Sequence, residues 1–164
     1  MITLPRRKGM WIWQLIYCLG GDPGAIGNAA KAAGLGHVLI KLTDGPAEYN
    51  VSADKAKIIW ALLSAGVEVW GWGYTYGSNP LGEAEKAAEL CEQYSVAGFV
   101  IDAESDYKAP GMDGVARTYC ATLRAILGAD FPLGLSTYRY PHYHQTFPFD
   151  AFRQYVDFDA PQVY

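Results

Sequence analysis

The chain has 164 residues, 51% of them hydrophobic and 18% charged, with a formal net charge of −4. One domain of that apolar content excludes a disordered chain, and the acidic balance excludes the basic face of a general nucleic-acid binder. No apolar run reaches the roughly 18 residues of a membrane span, so no membrane partner is expected. Cys18, Cys91 and Cys120 are odd in number and widely spaced, with no C-x-x-C. They read as reduced, mostly buried thiols, not as a disulfide frame or a zinc site. Twelve Tyr and five Trp stand against six Phe. Amphipathic rings suit a surface that holds something both flat and polar.

Arg6, Arg7 and Lys8 precede an apolar run, Met10–Leu19, and together mimic an export signal. Gln14 interrupts that run, and no A-x-A site follows before Pro23. The segment reads instead as a buried first strand, rich in Trp, Ile and Tyr. Localisation is not fixed by these features. An extracellular or virion-associated place would need another export route.

Further apolar runs begin near His37, Val67, Gly98, Pro132 and Phe158. Helical patterns lie between them. Ala25–Ala33 stops at Gly34, and Ser52 is placed to cap a helix running to Ala65. Asn79-Pro80 opens a third helix with cap and first-turn proline in order. Its apolar stripe is Leu81, Ala84, Ala88 and Cys91, with Glu83, Lys86, Glu89 and Glu92 on other faces. Ala116, Tyr119, Cys120, Leu123 and Leu127 make a fourth stripe, ended by Gly128. A short fifth helix is expected around Phe149–Gln154.

Strand–helix units recurring about every 30 residues predict right-handed βαβ crossovers and a parallel sheet. No G-x-G-x-x-G or Walker loop follows a strand, so no nucleotide cofactor is expected. The favoured fold is α/β, a (β/α) barrel of TIM type with about six strands and five helices in this chain. Eight units would need roughly 240 residues. The expectation is therefore one domain over residues 1–164, a partial barrel incomplete at its C-terminal side. A smaller open variant is the alternative.

In such folds ligands bind at the C-terminal ends of strands. The third predicted strand ends Trp70-Gly71-Trp72-Gly73-Tyr74-Thr75-Tyr76. Its rings share one face and its glycines the other, and glycines there suggest close approach of a ligand or another backbone. The fourth ends Asp102-Ala103-Glu104, with both acids on one side and Cα atoms about 6.6 Å apart if extended. Two acids ending an apolar strand are costly unless paired or functional. Like charges this close push one pKa up, which suits glycoside hydrolysis. A structural acid pair bonded to lysine or backbone is the plainer alternative.

The fifth strand leads into Tyr138, Arg139 and the pair His142-x-His144. Arg139 is expected to pair with a carboxylate of the fourth strand or to bind a substrate group. The histidines are half of a metal set, which the Asp102/Glu104 pair would complete, but the spacing is not diagnostic of one. They read as surface hydrogen-bonders, and no metal is expected. Lys41 and Asp44 end the second strand and face the same mouth. Trp72, Tyr74, Tyr76 and Tyr138 are candidate sugar-binding rings, and Gln162 a further substrate contact.

Ile40-Lys41-Leu42-Thr43-Asp44-Gly45, Gly66-Val67-Glu68-Val69 through Tyr74, and Asp102-Ala103-Glu104 occur in the order and spacing of a known signature. They resemble strands two to four of family 25 glycoside hydrolases, the lysozyme-like muramidases. The resemblance implies a β/α barrel acting on the N-acetylmuramyl–N-acetylglucosamine bond of peptidoglycan. It implies Glu104 as general acid and Asp102 as its partner, assisting an N-acetyl group or stabilising positive charge. The family usually carries an aspartate on the first strand, whereas this chain has Trp11-Ile12-Trp13-Gln14 there. Two readings follow. One is a peptidoglycan hydrolase, bacterial or from a bacteriophage. The other is a non-catalytic carbohydrate-binding or structural barrel of a virion or cell-surface assembly. The oligomeric state is not legible in the sequence.

Overall fold

A computed structural model describes residues 4–163. In chain order it contains β1 (Gly9–Ile12), α1 (Pro23–Ala32), β2 (His37–Asp44), β3 (Ala47–Glu48), α2 (Lys55–Ser64) and β4 (Glu68–Thr75). Then come α3 (Pro80–Tyr94), β5 (Phe99–Ala103), α4 (Met112–Leu127), β6 (Leu133–Ser136), α5 (Phe149–Arg153) and β7 (Phe158–Asp159). Six strands pair in parallel in the order β1-β2-β4-β5-β6-β7. They curl into a half-barrel with five helices, the partial α/β barrel expected from the repeat. The two-residue β3 turns back antiparallel on the end of β2, so the third to sixth predicted strands are β4 to β7.

Alternation along each strand divides the sheet into two faces. Val38, Ile40, Leu42, Val69, Phe99, Ile101, Leu133 and Leu135 point outward. They bury against Ile26, Ile58, Leu62, Ala84, Ala88 and Leu123 of the helices. Leu39, Trp70, Trp72 and Val100 point into the concave side and pack with Phe158 and Ala160. Glycines make room for the largest rings there. A Cβ at Gly98 would lie 2.2 Å from the Trp70 ring, and one at Gly134 2.5 Å from Phe158.

Gly71 and Gly73 have a different purpose from the one expected. A Cβ at Gly71 would meet Leu42 Cδ1 at 2.5 Å, and one at Gly73 would meet Thr43 Oγ1 at 1.9 Å. They accommodate the side chains of Leu42, Thr43 and Phe99.

Helix boundaries follow local capping. Asp22 accepts from the Ala25 N–H at 2.6 Å, and Asn79 from the Gly82 N–H at 3.2 Å. For α2 the cap is Asp54, which accepts from the Lys57 N–H at 3.1 Å, and not Ser52. The α3 stripe also differs from expectation. Leu81 is 54% exposed, while Glu83 is 1% exposed. The Glu83 carboxylate accepts from the Thr75 hydroxyl (2.5 Å) and the N–H groups of Tyr76 (2.9 Å), Gly77 (3.1 Å) and Asn79 (3.1 Å). A buried charge with that many donors is satisfied, and it fixes the loop that follows β4.

The first strand is shorter than predicted. After Ile12 the chain leaves the sheet, and Leu15–Tyr17 forms a 3-10 turn. Ile12 and Leu15 are buried, but Trp11, Trp13 and Tyr17 are exposed. Cys91 and Cys120 are buried, Cys18 is half-buried, and all three are free thiols. Among the described residues no helix is long and apolar enough to cross a membrane.

Candidate active site

The C-terminal ends of β2, β4 and β5 bring the acids together. Tyr74 of β4 stands beside Asp102 of β5, which stands beside Ser136 of β6. Glu104 lies one step beyond β5, with its backbone turning into a 3-10 segment. A single nitrogen holds both carboxylates: Gln162 Nε2 donates to Asp102 Oδ1 at 3.2 Å and to Glu104 Oε1 at 2.7 Å. An amide nitrogen carries two hydrogens, one for each acid. It therefore places an oxygen of each carboxylate within two hydrogen-bond lengths of the other.

Around this pair the polar groups are ordered. Lys41 is buried and donates to Asp44 Oδ1 at 2.7 Å, with its ammonium over the Tyr49 and Trp72 rings at 4.4 and 5.2 Å. Tyr76 donates to the other Asp44 oxygen at 3.3 Å. Tyr74 donates to Asp106 Oδ2 at 2.6 Å, and the two tyrosine rings lie 4.8 Å apart.

Burial, then the charge of Glu104, push the Asp102 carboxyl up to about 7. Lys41 and hydrogen bonds from Ser136 and Gln162 hold it back in part. At neutral pH Asp102 is thus close to half-protonated beside a second carboxyl group. Burial and the bond to Asp106 raise Tyr74, so its hydroxyl remains a donor.

Asp102 opens onto a cleft of about 500 Å³ lined by Trp11, Trp13, Trp72, Ser136 and residues 160–163. Trp11 and Trp13 on its wall are not expected from the sequence pattern, which places them in a buried strand. Their two-residue spacing matches that of Trp70 and Trp72, and this is the signal that points to them. Ser136 and Asp106 also join the site without a sequence signal, being ordinary polar residues beside a louder motif.

Tyr138 and Arg139 are not brought to this cleft. Tyr138 stacks on His144 at 3.8 Å, lies 4.1 Å from the Lys108 ammonium, and packs on Phe147. Arg139 lies over Tyr140 and lines a separate hollow with Phe149 and Arg153 of α5. The expected Arg139–carboxylate pair is replaced by this contact; Arg139 follows Tyr138, whose parallel bridge to Gln162 is the last sheet pairing on this strand's path. His142 rests against Tyr143. No group of three potential metal ligands occurs among the described residues.

No protein family and no curated protein matches the chain by sequence. Solved structures do match by fold. The modular autolysin LytC from Streptococcus pneumoniae superposes with a TM-score of 0.61 at 14% identity, over 79% of this chain and 32% of that one. The same autolysin in complex with a synthetic peptidoglycan ligand gives 0.58 at 15% identity, with the same shares covered. GHIP, a glycosyl hydrolase 25 of Streptococcus pneumoniae participating in host cell invasion, gives 0.57 at 19% identity, over 78% of this chain and 60% of that one. This chain therefore spans less than two thirds of each. What it shares with them is the fold, a barrel like that of the glycosyl hydrolase 25.

Proposed function

We propose that this chain is a glycoside hydrolase domain acting on the glycan of cell-wall peptidoglycan. The observation that carries the reading is the Asp102/Glu104 pair, joined through one amide nitrogen at the mouth of the half-barrel. The shared fold with an autolysin whose structure holds a peptidoglycan ligand supports the choice of glycan.

Glu104, the less buried of the two, delivers a proton to the glycosidic oxygen from the form of the pair in which it, and not Asp102, carries the hydrogen. Asp102, buried and raised to about 7, orients an acetamido group or stabilises the cationic centre as the bond breaks. Lys41 and Asp44 set the local charge, and Trp72, Tyr74 and Tyr76 offer rings and hydroxyls to the sugar.

The test is Glu104→Gln on purified cell walls. The native protein releases reducing ends, and the variant loses at least about 100-fold in rate. Equal rates would overturn the assignment of Glu104. A second reading, binding without cleavage, draws on one observation: β1 and the residue that follows it bring Trp11 and Trp13, and no carboxylate, to the cleft. Wall binding by the native chain with no reducing ends released would favour it.

A further inference from the structure

The turn that carries Glu104 is fastened to β4 at two successive residues. β4 and β5 pair as far as Thr75 and Ala103. Glu104 is the first residue beyond that ladder, and at φ −132° and ψ −131° its backbone has left the strand. Strand pairing therefore stops one residue short of this carboxylate. The 3-10 turn Ser105–Lys108 takes over. Its Tyr107 N–H donates to the Glu104 carbonyl at 3.1 Å.

Side chains of the turn reach back to β4 on both of its faces. Asp106 accepts from the Tyr74 hydroxyl at 2.6 Å, and the Tyr107 hydroxyl meets the Thr75 hydroxyl at 2.8 Å. Tyr74 and Thr75 are neighbours on a strand, so they point to opposite sides of the sheet. The two rungs thus straddle β4. Thr75 has one hydroxyl hydrogen and gives it to Glu83 at 2.5 Å, so Tyr107 is the donor on its rung. A line of hydrogen bonds runs from Tyr107 through Thr75 to Glu83, all three buried. It ends on the carboxylate that clasps the loop after β4. The Tyr107 ring rests against Phe152 at 5.0 Å and Phe147 at 6.4 Å. A phenylalanine would fill the same space, and what the oxygen adds is the bond to Thr75.

We infer that Tyr107 is a positioning residue for Glu104. Its hydroxyl locks the turn to β4, and its N–H holds the Glu104 carbonyl within that turn. One residue thereby ties the carboxylate-bearing position to the sheet after strand pairing has ended. The consequence for catalysis rests on the hydrolase reading above, whereas the consequence for the placement of Glu104 does not. Placement matters because a shift of about 1 Å at a reacting group costs up to ~100-fold in rate.

The test is Tyr107→Phe, which removes one oxygen and keeps the ring. It is read by the carboxyl-carbon NMR resonance of Glu104, assigned through its loss in Glu104→Gln, and by reducing-end release from purified cell walls. The resonance moves from its native position, and kcat falls about tenfold or more with KM unchanged. Thr75→Val, which removes the acceptor, reproduces both effects, and Thr75→Ser, which keeps it, restores native behaviour. Leu62→Val trims a buried residue of α2. It lowers the denaturation midpoint and leaves both readouts native, which separates placement from stability. Circular dichroism verifies folding, and the Thr75 variants carry the comparison if Tyr107→Phe does not fold. An unmoved Glu104 resonance in any folded hydroxyl-deleted variant overturns the positioning role. So does an equal change in Leu62→Val, or an unchanged kcat in a chain that cleaves. A native protein that releases no reducing ends overturns the hydrolase reading instead, and the resonance alone then decides the role of Tyr107.

Discussion

The two faces of one sheet follow opposite rules. On β5, Phe99, Ile101 and Ala103 face the helices and are wholly buried among apolar neighbours. One residue out of phase, Val100, Asp102 and Glu104 step from a packed ring layer to a carboxylate pair at an open cleft. The outer face gains stability by excluding water from apolar surface. The inner face gives up some of that stability, holding a buried acid and exposed indoles where a ligand can reach them. The same five-residue strand serves both because its side chains alternate.

The sharpest break on the outer side is Phe99→Ala. The ring is fully buried and flanked by Gly71 and Gly73, so its loss costs about 3–5 kcal/mol by chemical denaturation. The inner counterpart is Asp102→Asn, with an opposite sign. Because Asp102 is raised from 3.8 to about 7, the folded state holds its proton more tightly than the unfolded state. That stabilisation is present below the unfolded pKa and is lost as pH rises toward 7. The variant flattens this loss and is the more stable protein at pH 8. In the wild type the loss accumulates at about 1.4 kcal/mol for each tenfold fall in proton concentration between those two pKa values. Denaturation midpoints at pH 5 and pH 8 measure it. A wild type whose stability rises over that interval contradicts the sign.

Gln162→Ala is a smaller perturbation of the same face, about 1 kcal/mol. The amide favours the ionised carboxylates, so its removal moves the Asp102 titration further upward, as read by carboxyl-carbon NMR. Least of all is Leu81→Ala. On sequence pattern Leu81 belongs to the buried stripe of α3, whereas 54% of it is exposed. The change stays within about 0.5 kcal/mol, and a loss of core magnitude would restore the pattern-based assignment.

The order and starting points of the parallel strands are legible in the sequence, because a strand buried on both faces is a continuous apolar run. The D-x-E spacing is legible for the same reason: charges stand out against such a run. Distance information is not. Gln162 reaches Asp102 and Glu104 across some 60 positions of sequence, and no local periodicity encodes that meeting. Glu83 misleads because a helical pattern treats every carboxylate as solvent-facing. Its donors come from the preceding loop, outside the helix. Pattern alone assigns Trp11 and Trp13 to the core because hydrophobicity reports what a ring avoids, and the curvature of the sheet decides whether anything covers it. Tyr138 and Arg139 take contacts from the segment that follows, Tyr138 with His144 and Phe147 and Arg139 with Tyr140, and strand periodicity does not report such partners.

The cysteines of the helix layer carry a practical consequence. Cys91 on α3 and Cys120 on α4 lie in the layer that covers the outer face, and burial pushes both thiols up, Cys120 to about 12. An alkylating reagent needs a thiolate it can touch. Each modification at these two positions therefore records a moment when α3 and α4 came away from the sheet. The protein carries its own clock for the opening of that layer, set on the side of the sheet opposite the cleft.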